Sequence, residues 1–417
     1  MVQSTDQKEF PRSHRNSKPP HGECNSAAGW AAERVLKTEN LFRAEWAKFD
    51  SHELRLVLAE FFGSPGQYDD DLEEKLHLPL AGQASKISIQ FKEKKIFCIE
   101  LGQSLDREEW KKIATRIEGA LTSNHQVIGK GICFSLHQTN GWWRGERSHI
   151  QILPAPPTTL PQNFGMTQHP FVVEFPIIKS EVEKVTLHRR WKKLEEIALL
   201  FNLFLAGRTS LVFGNGDQSG YVNFGDWVVD NHCLPSIGKI EEIPSEKYEK
   251  IGNDGLGLRV PANLDDLIMK FGNLESDLRK KFKLALYWWD MASRCWNISA
   301  YSLSFAALIS SVEALTDRGT SHNFKCPICG GDCQHEVPGA TERFRKFLEK
   351  FASGEQNKAR RSKMYALRSQ ILHGSDLMML DHGTAFGWDP PSDNEINLYR
   401  ELSALVRSAL RNWLENI

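Results

Sequence analysis

Proline 261 divides this chain into two different hydrophobic rhythms, and that change of period limits the folds open to it. Beyond it, apolar residues recur three and four apart almost to the C-terminus, the spacing of helices that bury one face. The pattern predicts helices over about 263–272, 274–298, 300–317, 340–353, 356–374 and 392–416. Leu284, Trp288, Met291, Ala292 and Cys295, and likewise Phe305, Leu308, Ile309, Val312 and Leu315, read as core stripes. A region of this length can enclose a core of its own as a helical bundle.

Before Pro261 the rhythm is mixed. Ile87, Ile89 and Phe91 alternate with polar residues, Lys92–Lys95 reads as a turn, and Ile96–Leu101 as the returning strand. Ser104 with Asp106 and Glu108 has the chemistry of a helix start, followed by Trp110, Ile113, Ile117 and Leu121 at helical spacing. Further strands are expected at 127–136, 149–153 and 171–175, a long helix at about 182–206, and a hairpin from Leu211–Phe213 and Tyr221–Val229. Helical patterns also run through 27–62, stopping at Gly63-Ser-Pro65. The expected class is therefore α+β: a tail at 1–26, a mixed α/β domain at 27–240, a linker at 241–261 and an all-α domain at 262–417. The tail is polar and rich in Ser, Lys, Arg and Pro, the composition of a disordered segment. Gly214-Asn-Gly-Asp-Gln-Ser-Gly220 is not a phosphate-cradling loop, because strand-like Tyr221–Phe224 follows where a helix N-terminus is required.

Bulk properties exclude several classes of function. Among 417 residues, 41% are hydrophobic and 25% charged, as in a soluble globular protein. The formal net charge of −1 gives no global attraction to nucleic acid or an anionic membrane, so any RNA affinity must come from a local basic face. The longest apolar run, Ile197–Leu205, is too short to cross a bilayer, and the N-terminus has no apolar signal core. The eight cysteines make a poor disulfide framework. Three fall at Cys326–Cys333 and the other five are scattered, which fits a reducing cytoplasm with one metal cluster.

That cluster is Lys325-Cys-Pro-Ile-Cys-Gly-Gly-Asp-Cys-Gln-His335. Cys-Pro-x-Cys-Gly is the sequence of a zinc knuckle, in which two thiolates on a tight turn face one ion. Cys326, Cys329, Cys333 and His335 supply four ligands of the right type, with His322 as a substitute for the closing position. Four protein ligands leave no open coordination site, so the expected zinc is structural.

The best candidate for chemistry is Tyr365-Ala-Leu-Arg-Ser-Gln-Ile-Leu-His-Gly374, the end of a helix with a glycine just past its last turn. His373 can move protons near neutral pH, and Arg368 can hold a phosphate through paired hydrogen bonds. That combination suits phosphodiester cleavage in RNA. Spacing alone is weak, since Arg144 and His149 share it outside any expected helix. On an ideal helix residues five apart are rotated by about 140°, so a second copy or a kink at the helix end is needed to complete a site. Arg343, Arg345, Lys346, Lys350, Lys358, Arg360, Arg361 and Lys363 lie on the two preceding helices with few acids among them, a candidate RNA-binding face. The basic residues of the long helix, Arg189, Arg190, Lys192 and Lys193, read as a solvated face.

With the bundle, the Cys-x-x-Cys insertion and the Arg-x4-His helix end in place, region 262–417 resembles the HEPN superfamily, most closely its ApeA-like group. The likeness rests on Ala307-Leu-Ile-Ser-Ser-Val-Glu-Ala-Leu315, the Cys326/Cys329 insertion, Arg343-Phe-Arg-Lys-Phe-Leu348 and the Arg368–His373 stretch. The resemblance implies a metal-independent endoribonuclease, acting in anti-phage defence or as a toxin. It also implies a homodimer in which two motifs face one cleft. Arg368 and His373 would be catalytic, with Ser369 at the polar position after the arginine and Glu313 as their partner. The N-terminal domain would sense a trigger ligand or an inhibitor. The alternative is a non-catalytic dimerisation and RNA- or partner-binding module with a structural zinc.

Overall fold

The computed structural model describes residues 44–62, 75–79, 86–92, 95–101, 107–155, 169–205, 209–211, 237–244, 257–316, 339–352, 358–382 and 390–417. The expected tail, the cysteine cluster and the Tyr221–Val229 strand lie outside them. Within them the chain is mixed α and β, with the strands before residue 262 and only helices after it.

A 3-10 turn at Ala44–Lys48 leads into α1 (Ser51–Phe62). Strands β1 (Lys75–Pro79), β2 (Lys86–Lys92) and β3 (Lys95–Leu101) form an antiparallel sheet in that order. Helix α2 (Arg107–Thr122) follows. Next come β4 (Gln126–Ser135), β5 (Trp143–Arg144), β6 (Gln151–Pro154), β7 (His169–Ile178), α3 (Glu183–Phe204) and β8 (Thr209–Leu211). These five strands make a second antiparallel sheet of order β5-β6-β7-β4-β8. Two short strands, β9 (Glu242–Ile243) and β10 (Val260–Pro261), pair in parallel. The helical part comprises α4 (Leu264–Asn273), α5 (Ser276–Asn297), α6 (Tyr301–Glu313), α7 (Ala340–Phe351), α8 (Lys358–Leu372), a 3-10 turn at Met379–His382 and α9 (Pro390–Glu415).

Among the described residues two large apolar clusters form, beside a small one around Leu153 and Val172. The first gathers Leu54, Val57 and Leu58 of α1, Ile89, Ile96 and Ile99 of the first sheet, Ile117 of α2, and Val182 and Val185 at the start of α3. The second runs without a break from Phe171, Val173 and Phe175 of the second sheet, through Leu194–Leu205 of α3, to Phe282, Leu308, Phe344, Val406 and Trp413 of the helical part. The cause lies in α3. Its first turns are amphipathic, but from Leu194 to Phe204 all residues except Glu195 are buried, so that half must be covered on several sides. The sheet covers one side. Gly131 of β4 has no side chain where a Cβ would stand 2.2 Å from Leu194, so the helix can lie close. Helices α5 and α9 cover the rest. Asn202 of α3 donates a buried 2.9 Å hydrogen bond to Asp290 of α5. Arg407 of α9 donates to the carbonyls of Leu203 and Leu205 at 3.0 and 2.9 Å, satisfying acceptors that the end of α3 would leave orphaned.

Within the helical part the buried stripe of α5 is rotated from the expected one. Phe282, Ala285, Leu286, Trp289, Ala292 and Cys295 are buried, whereas Leu284 is 47% exposed and Trp288 and Met291 lie at the edge of the core. Two buried serines fix how α6 lies antiparallel to α5. Ser304 Oγ donates to the Ala292 carbonyl at 2.6 Å and Ser311 Oγ to that of Ala285 at 2.8 Å.

Candidate active site

Helix α6 is held at both ends by the stretch that carries the Arg-x4-His motif. At its start Asp381, in the 3-10 turn after the motif, accepts the backbone N–H groups of Tyr301 and Ser302, both at 2.8 Å. Ser302 Oγ in turn accepts the Met378 N–H at 2.7 Å. At its end Glu313 reaches α8. One carboxylate oxygen accepts Nη2 of Arg368 at 2.5 Å, and the other accepts the Tyr365 hydroxyl at 2.6 Å. The Arg368 guanidinium also lies 5.6 Å from the centre of the Tyr365 ring. Tyr365 and Arg368 are three apart on α8, so both face α6.

The surroundings sharpen the charge pattern. The Glu313 and Arg368 side chains are 19% and 20% exposed, shielded enough for their attraction to exceed that of a surface pair. Burial and the Glu313 carboxylate push the Tyr365 phenol up to about 12, so it remains a proton donor to Glu313 near neutral pH. Arg343 of α7 lies near enough to oppose that rise, and Phe344 packs 5.4 Å from the Tyr365 ring.

His373 stands immediately beyond α8 and is exposed. The turn around it is a left-handed helix stop. Gly374 has φ +69°, its N–H bonds the Ile371 carbonyl at 3.1 Å, and the Ser375 N–H bonds that of Gln370 at 3.0 Å. The His373 N–H bonds the Ser369 carbonyl at 3.0 Å, continuing the helix by one residue. The histidine is thus displayed at a fixed helix end, one helical turn and a fraction beyond Arg368.

Of the expected catalytic residues, Glu313 and Arg368 are brought together, Ser369 is half-buried beside them in sequence, and His373 sits at the adjoining helix end. Tyr365 belongs to this cluster although no catalytic role was expected for it; its three-residue offset from Arg368 was the available signal. The expected RNA face is uneven. Lys346, Arg360 and Lys363 are exposed, with Lys346 paired to Glu342 at 2.9 Å and Arg360 to Glu401 of α9. Arg343 and Arg345 are half-buried, and Arg345 donates to Ser362 across α7 and α8 at 3.4 Å. Arg361 does not belong to that face. It is 2% exposed and donates to the Ala352 carbonyl at 3.3 Å, bracing the end of α7.

The four expected zinc ligands, Cys326, Cys329, Cys333 and His335, lie outside the described residues, between α6 and α7. Among the described residues no cluster of three or more His, Cys, Asp or Glu side chains is placed to hold a metal ion. No helix among them is long and apolar enough to cross a membrane. The basic residues of α3 are not a uniformly solvated face: Arg189 pairs with Glu53 at 2.7 Å and Lys192 with Asp50 at 2.7 Å, joining α3 to α1. The chain matches no protein-family model, no curated protein and no solved structure.

Proposed function

We propose that the chain is a metal-independent endoribonuclease of HEPN type, working in the cytoplasm as an anti-phage defence or toxin effector. The observation that carries this reading is the Glu313–Arg368 pair on two packed helices, with exposed His373 at the end of the same helix. A ribonuclease needs a cation set against the scissile phosphate and a group that exchanges protons near neutral pH, and these residues supply both.

In the reaction the ribose 2′-oxygen attacks the adjacent phosphorus and its proton passes to a base. The bond from phosphorus to the 5′-oxygen breaks, and that oxygen takes a proton. The products are a 2′,3′-cyclic phosphate and a 5′-hydroxyl. His373 serves as base or acid, and Arg368 stabilises the charge that grows on the pentacoordinate phosphate. Glu313 fixes the guanidinium through Nη2, and Tyr365 occupies the second carboxylate oxygen; Arg368 Nε is buried, so Nη1 is the nitrogen left for phosphate. Arg368 and His373 stand five residues apart and do not converge on one atom from a single helix, so a homodimer with two motifs on one cleft completes the site, one histidine taking the 2′-proton and the other protonating the 5′-oxygen. Lys346, Arg360 and Lys363 would receive the flanking phosphates. The three thiols and one imidazole within Cys326–His335 fit a structural zinc that would pin the connection between α6 and α7.

The test compares wild type with His373→Ala on purified RNA without divalent metal. Wild-type cleavage leaving cyclic phosphate ends, with none from the variant, is the expected result. Equal cleavage by both would sink the reading. A second reading is a non-catalytic dimerisation and RNA- or partner-binding module. It is favoured by the way Glu313 and Asp381 clamp α6, which gives the motif stretch a structural role of its own. Under it, His373→Ala leaves RNA binding and dimerisation intact and neither protein cuts RNA.

A further inference from the structure

A cleft of about 600 Å³ opens between α3 and the first turns of α5, away from the Glu313–Arg368 pair. Arg189, Lys192, Lys193, Arg279, Lys280 and Lys283 line it, and Glu196 is the one acid in its wall. In a chain with a formal net charge of −1, such a concentration of cations in one concavity is costly unless something offsets it.

Partners inside the protein offset it only in part. Glu53 takes Arg189 and Asp50 takes Lys192, both on the α1 side. Glu196 holds Arg279 at 2.9 Å, and Lys283 is shared between Glu195 at 3.3 Å and Glu196 at 3.6 Å. Lys280 has only the solvated carboxylate of Asp277 one turn back. Lys193 makes no hydrogen bond or ion pair among the described residues. Burial holds its ammonium below the usual lysine value; the Glu196 carboxylate opposes that shift and the charge of Arg279 adds to it, so Lys193 shares with Arg279 and Lys283 the one carboxylate in the wall. Helix α5 also begins here. Its N-cap residue, Glu275, makes no side-chain capping bond, and the first-turn residue Ser276 lines the cleft, so the positive end of a long helix points at the same space.

We propose that this cleft binds a chain of linked phosphoryl groups, an oligophosphate. Lys193 stands on α3 and Lys280 on α5, on the two walls of the cleft. A linked chain can run from Lys193, on α3, to Lys280 and the start of α5. The cleft has the volume of a small-molecule site, and no aromatic side chain lines it to stack on bases. Recognition is therefore of phosphate, whether carried by a nucleoside or as an inorganic chain. This inference stands apart from the ribonuclease reading.

The experiment is calorimetric titration of the full chain in about 0.15 M salt, where exposed charges are screened within about 8 Å, with tripolyphosphate, a nucleoside triphosphate and orthophosphate. Tripolyphosphate is expected to bind at least about tenfold more tightly than orthophosphate. The double variant K193Q/K280Q is expected to lose about tenfold or more, and K112Q/K179Q, at exposed lysines of α2 and the turn after β7, to lose nothing. K280Q alone alters an exposed side chain, cannot unfold the protein, and is expected to weaken binding about threefold. Tighter binding of the nucleoside triphosphate than of tripolyphosphate identifies a nucleotide as the source, and the reverse order an inorganic chain. The proposal is overturned if tripolyphosphate does not bind, if orthophosphate binds as well, or if both double variants lose equally. It is also overturned if an RNA oligonucleotide lacking terminal phosphates displaces tripolyphosphate, since the cleft would then be a strand path.

Discussion

Glu313, on the last turn of α6, accepts a hydrogen bond from Arg368 of α8 while its other oxygen takes the Tyr365 hydroxyl, so one carboxylate fixes both the motif arginine and the packing of two helices. Glu313→Gln should therefore act twice. It removes the charge that orients Arg368 in a half-shielded site and leaves that cation without its partner, at a cost of about 1–3 kcal/mol. Tyr365→Phe deletes one hydrogen bond and keeps the ring against Phe344, at a cost of about 1 kcal/mol. Urea unfolding of the two variants measures both. RNA cleavage, if Arg368 is catalytic, should fall further in Glu313→Gln than in Tyr365→Phe.

The left-handed turn at Gly374 makes a second prediction. A Cβ there meets nothing within 4 Å, so Gly374→Ala meets no steric clash and suffers only backbone strain at φ +69°. That strain should lower stability by about 1–2 kcal/mol and fray the last turn of α8. Since His373 is exposed, His373→Ala should leave the melting temperature nearly unchanged. A variant pair in which alanine at 374 destabilises and alanine at 373 does not separates the helix stop from the chemistry it displays.

Much of this was readable from residue order, and what was not has a physical cause. The period change at Pro261 marks the switch from strands to helices, because side-chain spacing follows directly from backbone geometry. The packing of the second sheet against the helices was not readable. Pro, Gly and mixed charge at 241–261 resemble a linker, yet what joins the sheet to the helices is the all-round burial of Leu194–Phe204, a tertiary property. Sequence shows that α5 is amphipathic but not which of two adjacent stripes meets the core, so Leu284 reads as core where Leu286 belongs. Gly131 reads as a poor strand residue until Leu194 is seen against it. Arg368 and His373 stand out by type, whereas Tyr365 becomes part of the site only through Glu313, 52 positions away.

The basic residues of α7 and α8 divide into two groups that one experiment can tell apart. Lys346 and Lys363 are exposed, so replacing both with Gln should weaken RNA binding, reduce its salt dependence by about two counterions, and leave stability within about 0.5 kcal/mol. Arg361→Gln should do the opposite. Its guanidinium is buried and holds the Ala352 carbonyl, so the variant should lose about 1–3 kcal/mol of stability while the RNA salt slope stays put. Salt titrations and urea unfolding on the same proteins give both readings. A salt slope that tracks Arg361 instead would remove Lys346 and Lys363 from the interface.

Acid should loosen the first core where α1 meets α3, through a pair of histidines in ring contact. The rings of His52 and His188 have centroids 4.4 Å apart. His52 Nδ1 accepts a hydrogen bond from Arg55 at 3.1 Å, which requires that nitrogen to be unprotonated, and His188 Nε2 is buried without a hydrogen-bond partner. Asp50 and Glu53 favour protonation of the pair, while Arg55, Arg189 and Lys192 oppose it. Burial outweighs the carboxylates, and both rings are held below the ordinary histidine value of about 6.5. The unfolded chain therefore takes up protons before the folded one does. Stability from this pair is complete above about pH 6.5 and is lost as the pH falls through the lowered values. Asp50, held at about 2 chiefly by Lys192 against the opposing effect of burial, loses its contribution only in a separate window between about 3.8 and about 2. Melting temperatures from about pH 7.5 to about pH 5 should fall more steeply for wild type than for a His52→Gln, His188→Gln double variant, whose amides do not titrate. Parallel curves for the two proteins would show that the histidine pair stays neutral or that α1 and α3 part without consequence for the fold.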